Sequence, residues 1–97
     1  MIAEFSVVPI GAGESVSPYV AECLKIVRDS GLRYEFTATA TILEGDYDQV
    51  METIGRCHKK VRSMTDRVMT SVRIDDREGA MNEIERKVKS VEEKIRN

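Results

Sequence analysis

Two kinds of hydrophobic spacing follow each other along the chain and predict strands and helices in turn. In residues 2–11 and 66–75 an apolar residue stands at nearly every second position, which is typical of strands. The first run ends in a proline and a glycine, which mark the end of a strand. Residues 33–44 alternate as well but lack an Asn-Gly or Asp-Gly hairpin signal. This middle stretch therefore reads either as one long strand or as two short strands that bend near Ala38–Ala40.

Three other segments carry apolar residues at steps of three and four, the spacing of an amphipathic helix. The first has Ser17 as its predicted N-cap, Pro18 at the first helical position and Gly31 just past its end. The second begins at Asp46, which forms a capping-box pattern with Gln49. The apolar positions are Val20, Cys23, Leu24 and Val27 in the first helix, Val50, Ile54, Cys57, Val61 and Met64 in the second, and Met81, Ile84, Val88, Val91 and Ile95 in the third.

The predicted order is strand, helix, extended stretch, helix, strand, helix. We favour a hairpin for the middle stretch, because one long strand would leave a three-stranded sheet too narrow to cover two helices. The 97 residues then form one α+β domain over 1–97, a ferredoxin-like β-α-β-β-α-β sandwich with an extra C-terminal helix.

A row of threonines distinguishes the middle stretch, and two interpretations of it stay open. With both helices on one sheet face, we expect that face to carry Ala3, Phe5, Val7, Tyr34 and Phe36. The opposite face is expected to carry Glu4, Ser6, Val8, Glu35, Thr37 and Thr41. Such a face fits a subunit interface with cross-strand threonine pairs, or the floor of a ligand site, and the two are compatible.

Composition excludes several classes of function. A net charge of −2 and a pI of 5.4 argue against nucleic-acid binding, and no apolar run approaches the ~18 residues of a membrane span. Met1 leads into a strand-like run without a signal-peptide pattern, and two cysteines in such a chain indicate reduced thiols in the cytoplasm. With one histidine and no catalytic constellation, we expect neither a metal site nor an enzyme, and Cys57–His58 is expected to be structural.

Several motifs together resemble one family. The segments YEFTATATILEGDYDQVMETIGRCHKKV and DRVMTSVRIDDR, with VVPIG and SVSPYV before them, are similar to the small thiamine-binding proteins, the single-domain relatives of the YkoF-like proteins. The resemblance covers nearly the whole chain. One departure is Ala40, where relatives often carry a glycine able to adopt positive φ in a tight turn.

The resemblance implies a ferredoxin-like fold, dimers that pair into tetramers, and binding of thiamine or its aminopyrimidine half, with no other cofactor. Hydroxyls and carboxylates suit the aminopyrimidine, and a carboxylate or an aromatic ring suits the cationic thiazolium. The ligand residues expected on this basis are Glu44, Thr37, Thr41, Glu35 and Tyr34, with Tyr47 as a second stacking surface. Glu44 is the first choice, because it should lie near the helix N-terminus at Asp46. The alternative is a homo-oligomeric regulatory or scaffold protein without a small-molecule ligand.

Overall fold

The computed structural model describes residues 1–96 and contains four strands and three helices. In chain order the elements are β1 (Ile2–Pro9), α1 (Ser17–Asp29), β2 (Arg33–Phe36), β3 (Thr41–Glu44), α2 (Tyr47–Arg62), β4 (Val68–Asp75) and α3 (Glu83–Ile95). The sheet order is β2-β3-β1-β4, and every neighbouring pair of strands is antiparallel. This arrangement confirms the ferredoxin-like fold with a C-terminal helix.

The middle stretch is a hairpin, as predicted. Phe36 pairs with Thr41, and residues 37–40 form the turn between them. The Thr37 N–H donates to the Ala40 carbonyl at 2.9 Å, and the Thr37 hydroxyl donates to the same carbonyl at 2.8 Å. Within residues 1–96, Asn82 is the only non-glycine residue with positive φ, so Ala40 closes this turn without the backbone conformation that would require glycine.

The hydrophobic core lies between the sheet and the helices α1 and α2. Ala3, Phe5 and Val7 face it from β1, as predicted, and Leu43 faces it from β3. Tyr34 and Phe36 lie on the same face by register, but they are exposed, because β2 is a four-residue strand at the sheet edge. The helices contribute Cys23, Val27, Val50, Ile54, Cys57 and Val61.

The ends of the helices confirm two predictions and correct three, since Met64 lies beyond the end of α2 and Met81 before the start of α3. Ser17 is the first residue of α1 rather than its N-cap, which is Val16 without a side-chain cap bond; Pro18 favours a start in its immediate vicinity but does not fix the residue. Gly31 follows α1 with φ of 77°, as a C-terminal glycine should. The Asp46 carboxylate accepts from the Gln49 N–H at 2.9 Å and caps α2.

The last helix, α3, lies against the sheet face opposite α1 and α2 and touches it mainly with its first turn. Glu83 and Ile84 are buried, whereas Val88, Val91 and Ile95 are 56%, 57% and 76% exposed. The rest of α3 therefore projects from the sheet, and the molecule measures 48 × 28 × 20 Å.

None of the helices formed by residues 1–96 combines the length and the apolar character needed to cross a bilayer.

Candidate functional site

A small cavity lies where the N-terminal half of α1 faces the second half of β1 and the hairpin turn. Its volume is about 150 Å³. The walls are mostly apolar, and hydroxyl groups and main chain lie near the turn. The lining residues are Phe5, Ser6, Val7, Val8, Val16, Val20, Cys23, Phe36 and the run from Thr37 to Thr41.

The cavity exists because two neighbouring strands have different lengths. β1 continues to Pro9 and is paired with β4 along its whole length. On its other side, pairing with β3 begins only at Phe5, opposite Thr41. The position that would oppose Val7 is Thr39, which lies in the turn instead of a strand. The second half of β1 thus has an open edge facing the cavity.

The main chain of Val7 points toward this open edge. In an antiparallel ladder, successive residues direct their N–H and C=O groups to alternate sides. The Ile10 N–H donates to the Arg67 carbonyl on the β4 side at 2.8 Å, and the Met1 carbonyl accepts from the Gly45 N–H on the β3 side at 3.0 Å. Val7 lies an even number of residues from Met1, so its N–H and C=O also point to the β3 side. Within the described residues, no backbone hydrogen bond joins Val7 to the turn. A donor and an acceptor therefore lie side by side at the cavity.

The threonines occupy positions that correct the predicted face. Because the turn contains four residues, Phe36 and Thr41 stand opposite each other and share a face, so Thr41 lies on the helix-covered side rather than the opposite one. Thr37 is in the turn, where its hydroxyl also accepts from the Ala40 N–H at 3.1 Å. Thr37 and Thr41 both line the cavity, but the hydroxyl of Thr37 is already engaged.

The structure gives Glu44 a partner that the sequence did not indicate. Its two carboxylate oxygens accept from the N–H groups of Glu83 at 2.6 Å and Ile84 at 3.2 Å, at the start of α3. The helix N-terminus beside Glu44 is therefore that of α3, not the one capped by Asp46. Glu44 lies on the sheet face opposite the cavity and three residues along β3 from Thr41, which is about 10 Å of strand.

The remaining predicted ligand residues also lie outside the cavity lining. Glu35 shares the face of Glu44 and lies with α3 along a groove of about 450 Å³. Tyr34 is on the helix-covered face at the sheet edge, and Tyr47 is exposed at the start of α2. The five predicted residues therefore do not form one site; two of them, Thr37 and Thr41, meet at the cavity.

The cavity is electrically neutral, since its lining contains no carboxylate, amine, guanidinium or imidazole. Residues 1–96 contain no group of three His, Cys, Asp or Glu side chains placed to hold a metal ion. His58 bonds instead to Thr70, with 2.7 Å between Nδ1 and Oγ1. The lining can accordingly bind a compact neutral ring by apolar contact and by hydrogen bonds to hydroxyls and main chain.

Comparison with known proteins agrees with this fold and covers nearly the whole chain. The chain is 39% identical to the UPF0045 protein MJ1052 of Methanocaldococcus jannaschii over 93 residues, 96% of this chain and 93% of that protein. The crystal structure of MJ1052 superposes with a TM-score of 0.88, covering 95% of each chain. A Thermotoga maritima protein with a suggested role in thiamine biosynthesis or salvage shares the fold, with 20% identity, a TM-score of 0.82 and coverage of 93% and 96%. The family model for thiamine-binding proteins matches residues 3–92, and the chain belongs to that family.

Proposed function

We propose that this protein binds thiamine through its aminopyrimidine half, which occupies the cavity beside Val7, and that it acts as a binding protein rather than an enzyme. Membership of the thiamine-binding family supports the ligand class. The observation that carries the proposal is the open edge of β1, where an unpaired N–H and C=O adjoin a neutral cavity. The chain would serve as a carrier, buffer or sensor in the cytoplasm.

The size of the cavity matches a single six-membered ring. A dry cavity of roughly 150 Å³ is known to accept benzene, and the cavity here has about that volume. Val7, Val16 and Val20 would contact the ring faces, and burial of that apolar surface would supply most of the affinity. The whole of thiamine is larger, so only one of its two rings fits inside.

The hydrogen-bonding edge of the aminopyrimidine complements that of Val7. The ring places an amine donor next to a ring-nitrogen acceptor, and Val7 offers a carbonyl and an N–H on the same strand edge. Thr41, whose hydroxyl can both donate and accept, lies on the same wall. Two or three bonds of this kind would orient the ring and select it over a hydrocarbon of equal size.

The thiazolium would remain at the mouth of the cavity. A permanent cation has no carboxylate partner in this lining and would be costly to bury. Phe36 is 49% exposed at the rim, and an aromatic face is a suitable neighbour for a cation. Hydroxymethylpyrimidine should therefore bind with an affinity within about tenfold of that of thiamine, because a cation–aromatic contact at an exposed rim is worth roughly 0.5–1 kcal/mol.

Isothermal titration calorimetry with thiamine, hydroxymethylpyrimidine and the isolated thiazole alcohol tests the proposal. The first two should bind and raise the melting temperature, and the thiazole should not. Val20→Phe should fill the cavity and lower affinity at least tenfold. The matched control is Ala21→Phe, which adds a ring to the exposed face of the same helix and should leave affinity unchanged. Equal binding by the Val20→Phe protein would place the ligand elsewhere.

A second candidate function is assembly, and the exposed stripe on α3 favours it. We propose that Val88, Val91 and Ile95 pack against another subunit to give a dimer or tetramer, since an apolar helical stripe of this kind is normally covered. Sedimentation should show Val88→Asp shifting the equilibrium toward monomer, with Lys89→Asp, about 100° further around the helix, as control. If no ligand binds and assembly persists, the scaffold role replaces the binding role.

A further inference from the structure

We infer that Cys23 and Cys57 are a redox pair, which a hydroperoxide entering through the cavity converts into a disulfide between α1 and α2. The inference does not depend on the identity of the ligand, because it uses only the two thiols and the way in which they are reached.

The two cysteines face each other across the helix pair in a reciprocal arrangement. The Cys23 thiol donates to the Cys57 carbonyl at 3.8 Å, and the Cys57 thiol donates to the Cys23 carbonyl at 3.5 Å. Each sulfur therefore lies against the main chain of the other residue, although 34 positions separate them in sequence. A disulfide spans Cα separations of roughly 4.4–6.8 Å, and the two thiol–carbonyl contacts bring these cysteines together at close range.

The two thiols differ in access. Cys57 is fully buried in the core, whereas Cys23 is 8% exposed and forms part of the cavity wall. The neighbouring Cys57 thiol, which can donate a hydrogen bond to the Cys23 sulfur, lowers the pKa of Cys23 and so favours the reactive thiolate. The same contact between the two thiols, together with burial, raises the pKa of Cys57. Cys23 is thus the attacking thiol and Cys57 the resolving one.

The reaction balances with one hydroperoxide per pair. The Cys23 sulfur attacks the distal oxygen, so an S–O bond forms, the O–O bond breaks, and water or an alcohol leaves with the Cys23 proton. The Cys57 sulfur then attacks the sulfenic sulfur; an S–S bond forms, and the hydroxyl leaves as water with the Cys57 proton. Two thiols are oxidised by two electrons in total, and the peroxide is reduced.

Formation of the disulfide would fix one wall of the cavity to the core. Cys23 is three residues from Val20, one helical turn along the wall of the cavity. The cross-link closes a loop of 34 positions, which should raise the melting temperature by at least about 5 °C. A molecule occupying the cavity should slow oxidation, since it would stand between the solvent and Cys23.

Mass spectrometry of the folded, reduced protein treated with hydrogen peroxide tests the inference. The expected product is a single chain lighter by two hydrogens, with Cys23 linked to Cys57 in the peptide map and both thiols restored by dithiothreitol. Cys57→Ala should stop at a sulfenic acid on Cys23 that dimedone traps. Cys23→Ala should lose the Cys57 thiol at least tenfold more slowly than wild type loses its thiols.

Two controls separate loss of the Cys57 thiol from loss of the fold. Cys57→Ser accompanies Cys57→Ala, and circular dichroism checks the fold of each variant, because alanine leaves a small void in the core. Three results would overturn the inference: wild-type protein that keeps both thiols, a disulfide that joins two chains, or oxidation of Cys57 in the Cys23→Ala protein at the wild-type rate. Protection by thiamine tests the shared cavity separately, so its failure would count against the proposed ligand site and not against the cysteine pair.

Discussion

Replacing Glu44 by Gln should release the first turn of α3 from the sheet while leaving the rest of the domain intact. The Glu44 carboxylate accepts two backbone N–H groups, from Glu83 and Ile84. The N-cap residue of α3, Asn82, makes no side-chain cap bond of its own, so Glu44 supplies the cap from 39 and 40 positions before its two donors. These two hydrogen bonds are the main polar attachment of α3 to β3.

The magnitude follows from those two bonds. A hydrogen bond to a charged acceptor is worth roughly 1.5–3 kcal/mol, and a neutral one about 1 kcal/mol. The Gln amide keeps one acceptor oxygen and turns its NH2 toward the other backbone N–H, so the change should cost about 2 kcal/mol of docking free energy. Because α3 touches the sheet mainly with its first turn, this loss should appear as local opening rather than global unfolding.

Amide hydrogen exchange measures that opening directly. An opening free energy lower by 2 kcal/mol corresponds to exchange about 30-fold faster at Glu83, Ile84 and Arg86, with α2 unchanged. Glu35→Gln is the matched control, since Glu35 is exposed on the same sheet face. Unchanged exchange in both the Gln and Ala variants of Glu44 would refute the capping role. Loss of thiamine affinity without faster exchange would instead support the ligand role predicted from sequence.

Three further predictions concern acid, the turn and the core. Hydrogen bonds from Arg86 and Lys87 lower the pKa values of Glu83 and Asp75 respectively. Their stabilisation is present above the unfolded pKa values near 4 and is lost as pH falls through the lower folded ones, so the protection factors of the α3 amides, measured relative to the intrinsic exchange rate at each pH, should fall below about pH 4. Thr37→Ala removes both hydroxyl bonds to Ala40 and should lower the free energy of unfolding by about 1–2 kcal/mol in urea, and an unchanged midpoint would contradict this. Leu43→Ala, at a fully buried position, should cost about 3 kcal/mol in the same assay, whereas a loss below 1 kcal/mol would mean that the core collapses around the void.

Local patterns predicted the elements well because each pattern reports a local property. Alternation placed Ala3, Phe5 and Val7 on the core face, and steps of three and four placed Val50, Ile54 and Cys57 in α2, both as observed. The hairpin followed from counting strands rather than from a turn motif. These inferences depend on the period of the backbone and on sheet width, which a sequence carries directly.

The site was harder to predict because its parts depend on register and on contacts distant in sequence. The alternation of residues 33–44 continues through the turn in the sequence, but four turn residues reset its parity and moved Thr41 to the other face. The cap of α3 comes from Glu44 on β3, 39 positions before Glu83 in the chain. The free N–H and C=O of Val7 cannot be predicted from the identity of its side chain. The only indication in the sequence is that the first strand reaches Pro9 while its partner strand is short.

The unequal lengths of β1 and β3 make the cavity depend on the number of turn residues more than on their identity. Two residues added to each arm of the hairpin would let β3 reach Thr39 and beyond, pair with Val7 and convert the opening into ordinary sheet. Substitutions along the rim leave the main-chain donor and acceptor in place. Insertions and deletions between Phe36 and Thr41 should therefore separate relatives that retain this pocket from relatives that have lost it, even where the remaining side chains agree.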